Sequence, residues 1–340
     1  MSTFSLRRVA LVAAGAAFAI FGVFALLLVL PSGSYIFLPD SAHPVAPLVS
    51  VKGGHDPKGP GGIYFVDVFV RKASLLEKLL PVVRADGARV HPASDVRAPG
   101  VSDAARRKAD LRDMTRSQEI AAAVALRALG HRVIATPTGA LIEAVDPSAP
   151  AGGKLQPGDV VASAGGKPVH KPADLQRLVG ALKPGTSITL GIRRGSEQRT
   201  VTLVTAPNPL SSRHSRIGVA VGQAANIQLP VPVRIDAGSV GGPSAGVAFA
   251  LDLMEELGRN VDRGNKIAAT GELDLGGNIL PIGGVEQKTL GARRAHVDAF
   301  IVPAGENAAV ARRNAHGLRI IPVRNFQQAL RALATLPVKA

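Results

Sequence analysis

The sequence contains no cysteine in its 340 residues. That excludes disulfide staples, thiolate metal sites and a thiol nucleophile. Aromatic residues make up only 4% and tryptophan is absent, so the ring platforms on which single-stranded nucleic acid stacks are scarce. The eight histidines nowhere form His-Glu-x-x-His, which sets aside a zinc-dependent protease built on that helix. No Gly-x-x-x-x-Gly-Lys-[Ser/Thr] loop is present, so the chain carries no phosphate cradle for an ATP motor. Neither a metal nor a cofactor is expected.

Positive charge is abundant. Forty Lys and Arg against twenty-five Asp and Glu give a formal net charge of +15. Such an excess suits nucleic acid, anionic lipid or a cell-surface polymer. The basic residues are spread along the chain, and with few aromatics among them nucleic-acid binding is not expected. A hydrophobic fraction of 46% is ample for about two folded domains.

Long apolar runs are also rare, with one exception. Arg7 and Arg8 precede an unbroken apolar stretch from Val9 to Leu30, about 22 residues, which at 1.5 Å each would span a ~30 Å hydrocarbon core. A cleaved signal peptide has a shorter apolar region and a small-residue cleavage site. Here Leu26, Leu27, Leu28, Val29 and Leu30 run straight into Pro31, so a retained anchor is expected. The two arginines would stay cytoplasmic and place residues from about 35 onward outside the cell membrane.

Beyond that run, Pro44 to Gly62 is rich in Pro and Gly and reads as a linker. Ile63 to Val70 is β-rich. Residues 73–83 and 102–129 read as helices, the second with Ile120, Val124, Leu126 and Ala128 on a packed face. Arg106-Arg107-Lys108 reads as a solvated stretch of it. From about 138 to 206 a compact unit follows. It has a strand at Ala140–Val145, a tight turn into Val160-Val161, a hairpin at Gly165–Val169 and a helix over 172–182. Two alternating strands follow, through Ile188, Leu190 and Ile192 and through Val201 and Leu203. The stretches Ser-Ala-Pro-Ala-Gly, Leu-Gln-Pro-Gly-Asp-Val-Val and Gly-Gly-Lys-Pro-Val in this unit resemble a bacterial PDZ domain. Such a domain holds an extended peptide as an added strand. The resemblance implies a carboxylate-binding loop at Thr136–Leu141, although the Gly-Leu-Gly-Phe pattern is missing there. The alternative is a small β-domain that only packs on its neighbour.

Two segments carry the chemistry. In Gly241-Gly242-Pro243-Ser244-Ala245-Gly246, Pro243 suits the first turn of a helix. Val247, Ala250, Leu251, Met254 and Leu257 then keep a helical stripe that Gly258 ends. Ser244 is thereby expected at a helix N-terminus, beside amides able to stabilise an oxyanion. A serine so placed can also be a plain cap. In the second segment, Gly283 to Ala292, a helix over 285–296 puts Lys288 on one face with Val285, Ala292 and Ala295. Burial there disfavours the ammonium and leaves an amine that can take a hydroxyl proton. Alternatively the lysine snorkels to water.

Taken together, Asp236–Gly246, Ala269-Thr270-Gly271-Glu272-Leu273, Gly277–Gly284 with Lys288, and Phe300-Ile301-Val302-Pro303 with Asn307 resemble the protease domain of the Lon family. The resemblance implies Ser244 as nucleophile, Lys288 as general base and Thr270 as support for the lysine. Gly241 stands where that family usually has aspartate. With the apolar run, the PDZ-like unit and residues 31–130, the whole chain resembles the membrane-bound PDZ-containing Lon-like proteases of bacteria. The expected architecture is therefore α+β: a tip and anchor over 1–34, an N-terminal extracytoplasmic region over 35–130, a PDZ-like domain over 131–208 and a Lon-like protease domain over 212–340. Its expected partners are protein or peptide substrates, and a homo-oligomer is implied by resemblance. The rival expectation is a membrane-tethered PDZ scaffold whose protease fold is inert.

Overall fold

The computed structural model describes residues 3–55, 59–97, 101–209 and 211–339, with backbone alone for 3–10, 12 and 211–213. Helix α1 (Thr3–Val29) stops before Pro31, which cannot continue it. Large apolar side chains such as Phe18, Ile20, Phe21 and Val29 are exposed along it. The expected membrane span nevertheless gains no support from the fold. Among the described residues no helix is long and apolar enough to cross a membrane. The side chains of Arg7 and Arg8, on which the expected orientation rests, lie outside the described residues, as do Val9, Ala10 and Val12 at the start of the apolar run.

Next come β1 (Pro31–Pro44), β2 (Val49–Val51), β3 (Gly62–Ser74), α2 (Leu75–Leu79), β4 (Arg89–Pro92), α3 (Ala93–Val96) and the long α4 (Asp103–Ala128). The stretch expected as a linker is partly structural. Val45 and Val49 are buried, and β2 pairs with Val233–Ile235 much further on. The helix expected over 73–83 is shorter. Ser74 and Glu77 cap it reciprocally, and Pro81 forces a tighter turn directly after it.

The PDZ unit contains β5 (Ile134–Val145), β6 (Val160–Ala164), β7 (Lys167–Pro168), α5 (Pro172–Gly180), β8 (Ser187–Arg194) and β9 (Glu197–Val204). It continues through β10 (Ala206–Asn208), β11 (Ser211–Arg216) and β12 (Val219–Gln228). Its sheet runs β12-β5-β6-β8-β9, with β7 beside β6. Alternation of Ile188, Leu190 and Ile192 on β8 puts all three in a core shared with Ile142, Val161, Leu175 and Leu203. Under that sheet the fully buried Asp159 accepts two 2.7 Å bonds from Arg194.

The remainder comprises β13 (Val233–Ile235), α6 (Gly246–Glu256), β14 (Lys266–Ala269), β15 (Glu272–Leu273), β16 (Ile279–Leu280), α7 (Val285–Arg294), β17 (Ala299–Pro303), α8 (Glu306–Asn314), β18 (Arg319–Val323) and α9 (Phe326–Ala334). Its sheet runs β18-β17-β14-β3-β1-β4. Half of those strands come from the N-terminal region, with β3 joining β14 in parallel. Residues 35–130 are thus no separate unit; they complete the protease sheet, and the PDZ unit is inserted into one α+β domain. Helix α6 is buried on every side, with Val247, Phe249, Leu251 and Leu253 wholly so, as befits a central helix. It lies between the sheet, where Phe65 meets Phe249 at 6.3 Å, and α4, whose Ile120 and Val124 share its core. Helix α7 covers the opposite face through Val285 and Ala292.

Candidate active site

Ser244 lies in a turn just before α6, which starts at Gly246 with Ala245 as its N-cap. The helix begins later than Pro243 suggests, because the Ser244 carbonyl is used elsewhere. It accepts the Gly271 amide at 2.8 Å and the Thr270 hydroxyl at 3.1 Å, both from the end of β14. Pro243 and Gly242 are fixed from α4: the Ser117 hydroxyl donates to the Pro243 carbonyl at 2.9 Å, and the Gly242 amide donates to the Asp110 carbonyl at 2.7 Å. Gly242–Gly246 spells Gly-x-Ser-x-Gly, the spacing of a nucleophile elbow, but no strand leads directly into it.

Lys288 sits one turn into α7, which opens on Gly284 in the left-handed conformation, φ 69°. The expected face is present: Val285, Lys288 and Ala292 are all buried. Glu286 and Arg294 point away and pair instead with the N-terminal region, Glu286 with Arg89 at 2.7 Å and Arg294 with Asp86 at 3.2 Å. Lys288 is 4% exposed, and its Nζ stands 2.6 Å from Ser244 Oγ and 3.1 Å from Thr270 Oγ1. Thr270 is fully buried. Its hydroxyl is thus fixed between the lysine and the serine carbonyl, so the amine cannot swing away without breaking a buried bond.

Burial chiefly lowers the Lys288 pKa from 10.5 to about 8, and the charge of Asp67 partly opposes it. Near neutral pH a useful fraction of the amine is therefore uncharged. The Ser244 hydroxyl can then donate to it, the arrangement that activates an alkoxide nucleophile. Asp67, from β3, was invisible in the sequence because its approach depends on strand pairing. Beside the Ser244 turn a cavity of about 170 Å³ is lined by Asp113, Arg116, Pro243, Glu143 and Glu272 among others. Burial above all, with Glu143 nearby, pushes the Glu272 carboxyl up to about 7.

The PDZ unit holds a second feature. Strand β12 is the edge of its sheet, and between it and α5 runs a groove of about 800 Å³ lined by Leu175, Val179, Ile217 and Val221. At its head Gly218 has φ 79°, and a Cβ there would come within 2.0 Å of Ala149, so only glycine fits. The carboxylate loop expected at Thr136–Leu141 is not a loop. Ala140 and Leu141 pair with Gln223 and Gly222 of β12 on one side and with Val161 and Val160 of β6 on the other. Ala140 and Leu141, paired on both edges, cannot receive an added strand. The segment around Gly218 leads instead into β12, the edge strand of the sheet.

The fold and the buried serine–lysine pair define a serine peptidase architecture, and comparison with known proteins gives the type. Residues 205–335 match the Lon protease (S16) C-terminal proteolytic domain, and residues 127–205 match a PDZ domain. The chain is 44% identical over 80 residues to Lon protease 1 of Sorangium cellulosum, covering 23% of this chain and 10% of that protein. It is 32% identical over 154 residues to the Lon protease of Heliobacterium modesticaldum, covering 44% and 18%. It thus spans at most 18% of the length of these relatives. Among solved structures, the PDZ domain of the SdrC-like protein from Listeria monocytogenes matches at 15% identity with a TM-score of 0.23, covering 25% of this chain and 87% of that one. The chain carries a PDZ domain and a Lon-type serine peptidase domain.

Proposed function

We propose that this chain is an ATP-independent endopeptidase in which Ser244 attacks the scissile carbonyl and Lys288 moves the proton. The observation that carries the reading is the 2.6 Å separation of Lys288 Nζ and Ser244 Oγ in a buried site. In the first step the neutral amine takes the Ser244 proton as Oγ bonds to the carbonyl carbon. The oxyanion is met by backbone amides of the turn. The ammonium then gives that proton to the departing amine as the C–N bond breaks. A water, deprotonated by the same amine, hydrolyses the acyl-enzyme and restores the serine. Thr270 keeps the amine aimed at Oγ throughout.

Substrates on this reading are proteins or peptides that add a strand to β12 in the PDZ groove before reaching Ser244. The absence of an ATP-binding loop in this sequence supports motor-free cleavage. A tether to the cell membrane through α1, with the peptidase outside the cell, belongs to the same proposal. The apolar run after Arg7 and Arg8 in the sequence supports it. A homo-oligomeric assembly is part of it too, by analogy with ring-forming relatives.

The test uses the full chain with fluorescent casein and a fluorophosphonate probe. The parent should cleave casein and take the label on Ser244, and Ser244→Ala should do neither. Equal cleavage by both would remove the dyad. A parent that binds peptide through Val219–Gln228 but never cleaves or labels would make the chain a scaffold. For the tether, the parent should resist alkaline extraction from membranes, and deletion of residues 1–30 should release it.

A further inference from the structure

We propose that Asp67, supplied by the N-terminal strand β3, is an electrostatic positioning residue for Lys288, backed by His43 and Asp40 of β1. The proposal rests on the Ser244–Lys288 reading above and names a participant outside the matched peptidase region. Its basis is placement. Strand β3 runs parallel to β14 with Phe65 beside Ala269, the last pair of that ladder; Asp67 follows two residues on, as Thr270 and Gly271 follow the end of β14. Alternation puts Phe65 and Asp67 on one face. Phe65 packs on Phe249 of α6, the helix that follows Ser244. The intervening Val66 and Val68 support α7, where a Cβ on Gly291 or Gly284 would come within 2.9 and 2.8 Å of them. Lys288 lies between those two glycines.

Asp67 therefore belongs to the strand beside β14, and directly after β14 comes Thr270, the partner of Lys288 Nζ. Its Oδ1 is buried and accepts no hydrogen bond from the described residues. The titratable groups that face it are Asp40, His43 and Lys288. His43 Nε2 lies 3.7 Å from Asp67 Oδ1 and 3.5 Å from Asp40 Oδ2, and its ring leans on Phe65 at 5.4 Å. Asp67 is the charged neighbour that acts on the buried lysine. An anion that acts on the lysine has two consequences. It keeps the proton on Lys288 to higher pH, and it stabilises the ammonium that forms once Ser244 has given up its proton. Burial alone would favour the base and leave that ammonium without a counter-charge.

The experiment measures the pH dependence of kcat/KM on fluorescent casein, and of fluorophosphonate labelling, for the full chain and for Asp67→Asn. The acid limb should move to lower pH by roughly one unit, the scale an opposite charge nearby commands, while the plateau rate falls. Asp67→Glu should return the limb toward that of the parent. A role in folding alone would lower the rate and leave the limb in place, and that coincidence would overturn the proposal. If the Asn variant does not fold, Asp67→Thr removes the charge with a better strand former and serves the same comparison. Cleavage that survives Ser244→Ala, or a parent that never labels, would instead sink the dyad reading and leave Asp67 without an object.

Discussion

Activity should switch on as the pH rises toward 8, and the size of the effect follows from the burial of Lys288. With its pKa brought from 10.5 to about 8, the neutral fraction at pH 7 rises from roughly 3 in 10,000 to roughly one in ten. That gain of about 300-fold corresponds to ~3.4 kcal/mol at 1.36 kcal/mol per unit. Below pH 8 the logarithm of kcat/KM should climb with unit slope, and above it the rate should level off. Stability carries the opposite face of the same shift. A lysine whose folded pKa is depressed makes the protein less stable below about pH 8, and the penalty fades as the pH climbs to 10.5. Lys288→Met should therefore raise stability at pH 7 by up to about 3 kcal/mol while abolishing cleavage. Lys288→Arg should abolish cleavage too, since a guanidinium stays charged. Cleavage rates from pH 6 to 10 on casein, with urea melts at the two ends, check all of this. A rate flat between pH 6 and 9, or an acid limb near 10, would refute the neutral-amine argument.

Thr270→Val removes the hydroxyl that fixes the amine and takes one of two partners from both Lys288 Nζ and the Ser244 carbonyl, so kcat should fall by about 10- to 100-fold with little change in KM. Gly291→Ala is a sharper case: helix propensity favours alanine by about 1 kcal/mol, yet a Cβ there would lie 1.9 Å from the Asp40 carbonyl oxygen. The melting temperature and the activity should both fall, because α7 must lift from the sheet. Asp252, buried beside Glu256, Glu255 and Asp262, is pushed up to about 8 chiefly by desolvation. It binds its proton better folded than unfolded, so its cost to stability grows as the pH rises from 3.8 through about 8. Asp252→Asn should stabilise by several kcal/mol at pH 9, with about 5.7 as a ceiling, and by little at pH 4, as read from chemical denaturation at each pH.

Ser244 and Lys288 each sit in a short glycine-marked segment, but the local pattern alone left a plain cap and a snorkelling lysine open, and the resemblance to the Lon family chose between the readings. The β-strands of the PDZ unit were legible through alternation and turn residues. What stayed hidden depends on pairing between distant strands. Nothing local in Ile63–Val70 says that it lies against Lys266–Ala269, so Asp67 could not be placed near the lysine. The supports from α4, Asp110 and Ser117, look like ordinary helix residues until α6 packs beside them. The groove was misplaced because Ile217–Val221 follows the rest of the PDZ unit in the chain, whereas Thr136–Leu141 precedes it and has the right glycine. Only the sheet order decides which of the two lies at an edge.

The pairing of Ile63 with Ile267 spans about 200 residues, a separation that makes loop closure slow. As the chain emerges from the ribosome, the PDZ unit can collapse onto its own core, while the early strands wait for partners not yet made. The lysine is itself translated late. On the proposed dyad, a nascent chain therefore holds no competent nucleophile, and a newly made copy cannot cut its neighbours until its last third has closed the sheet.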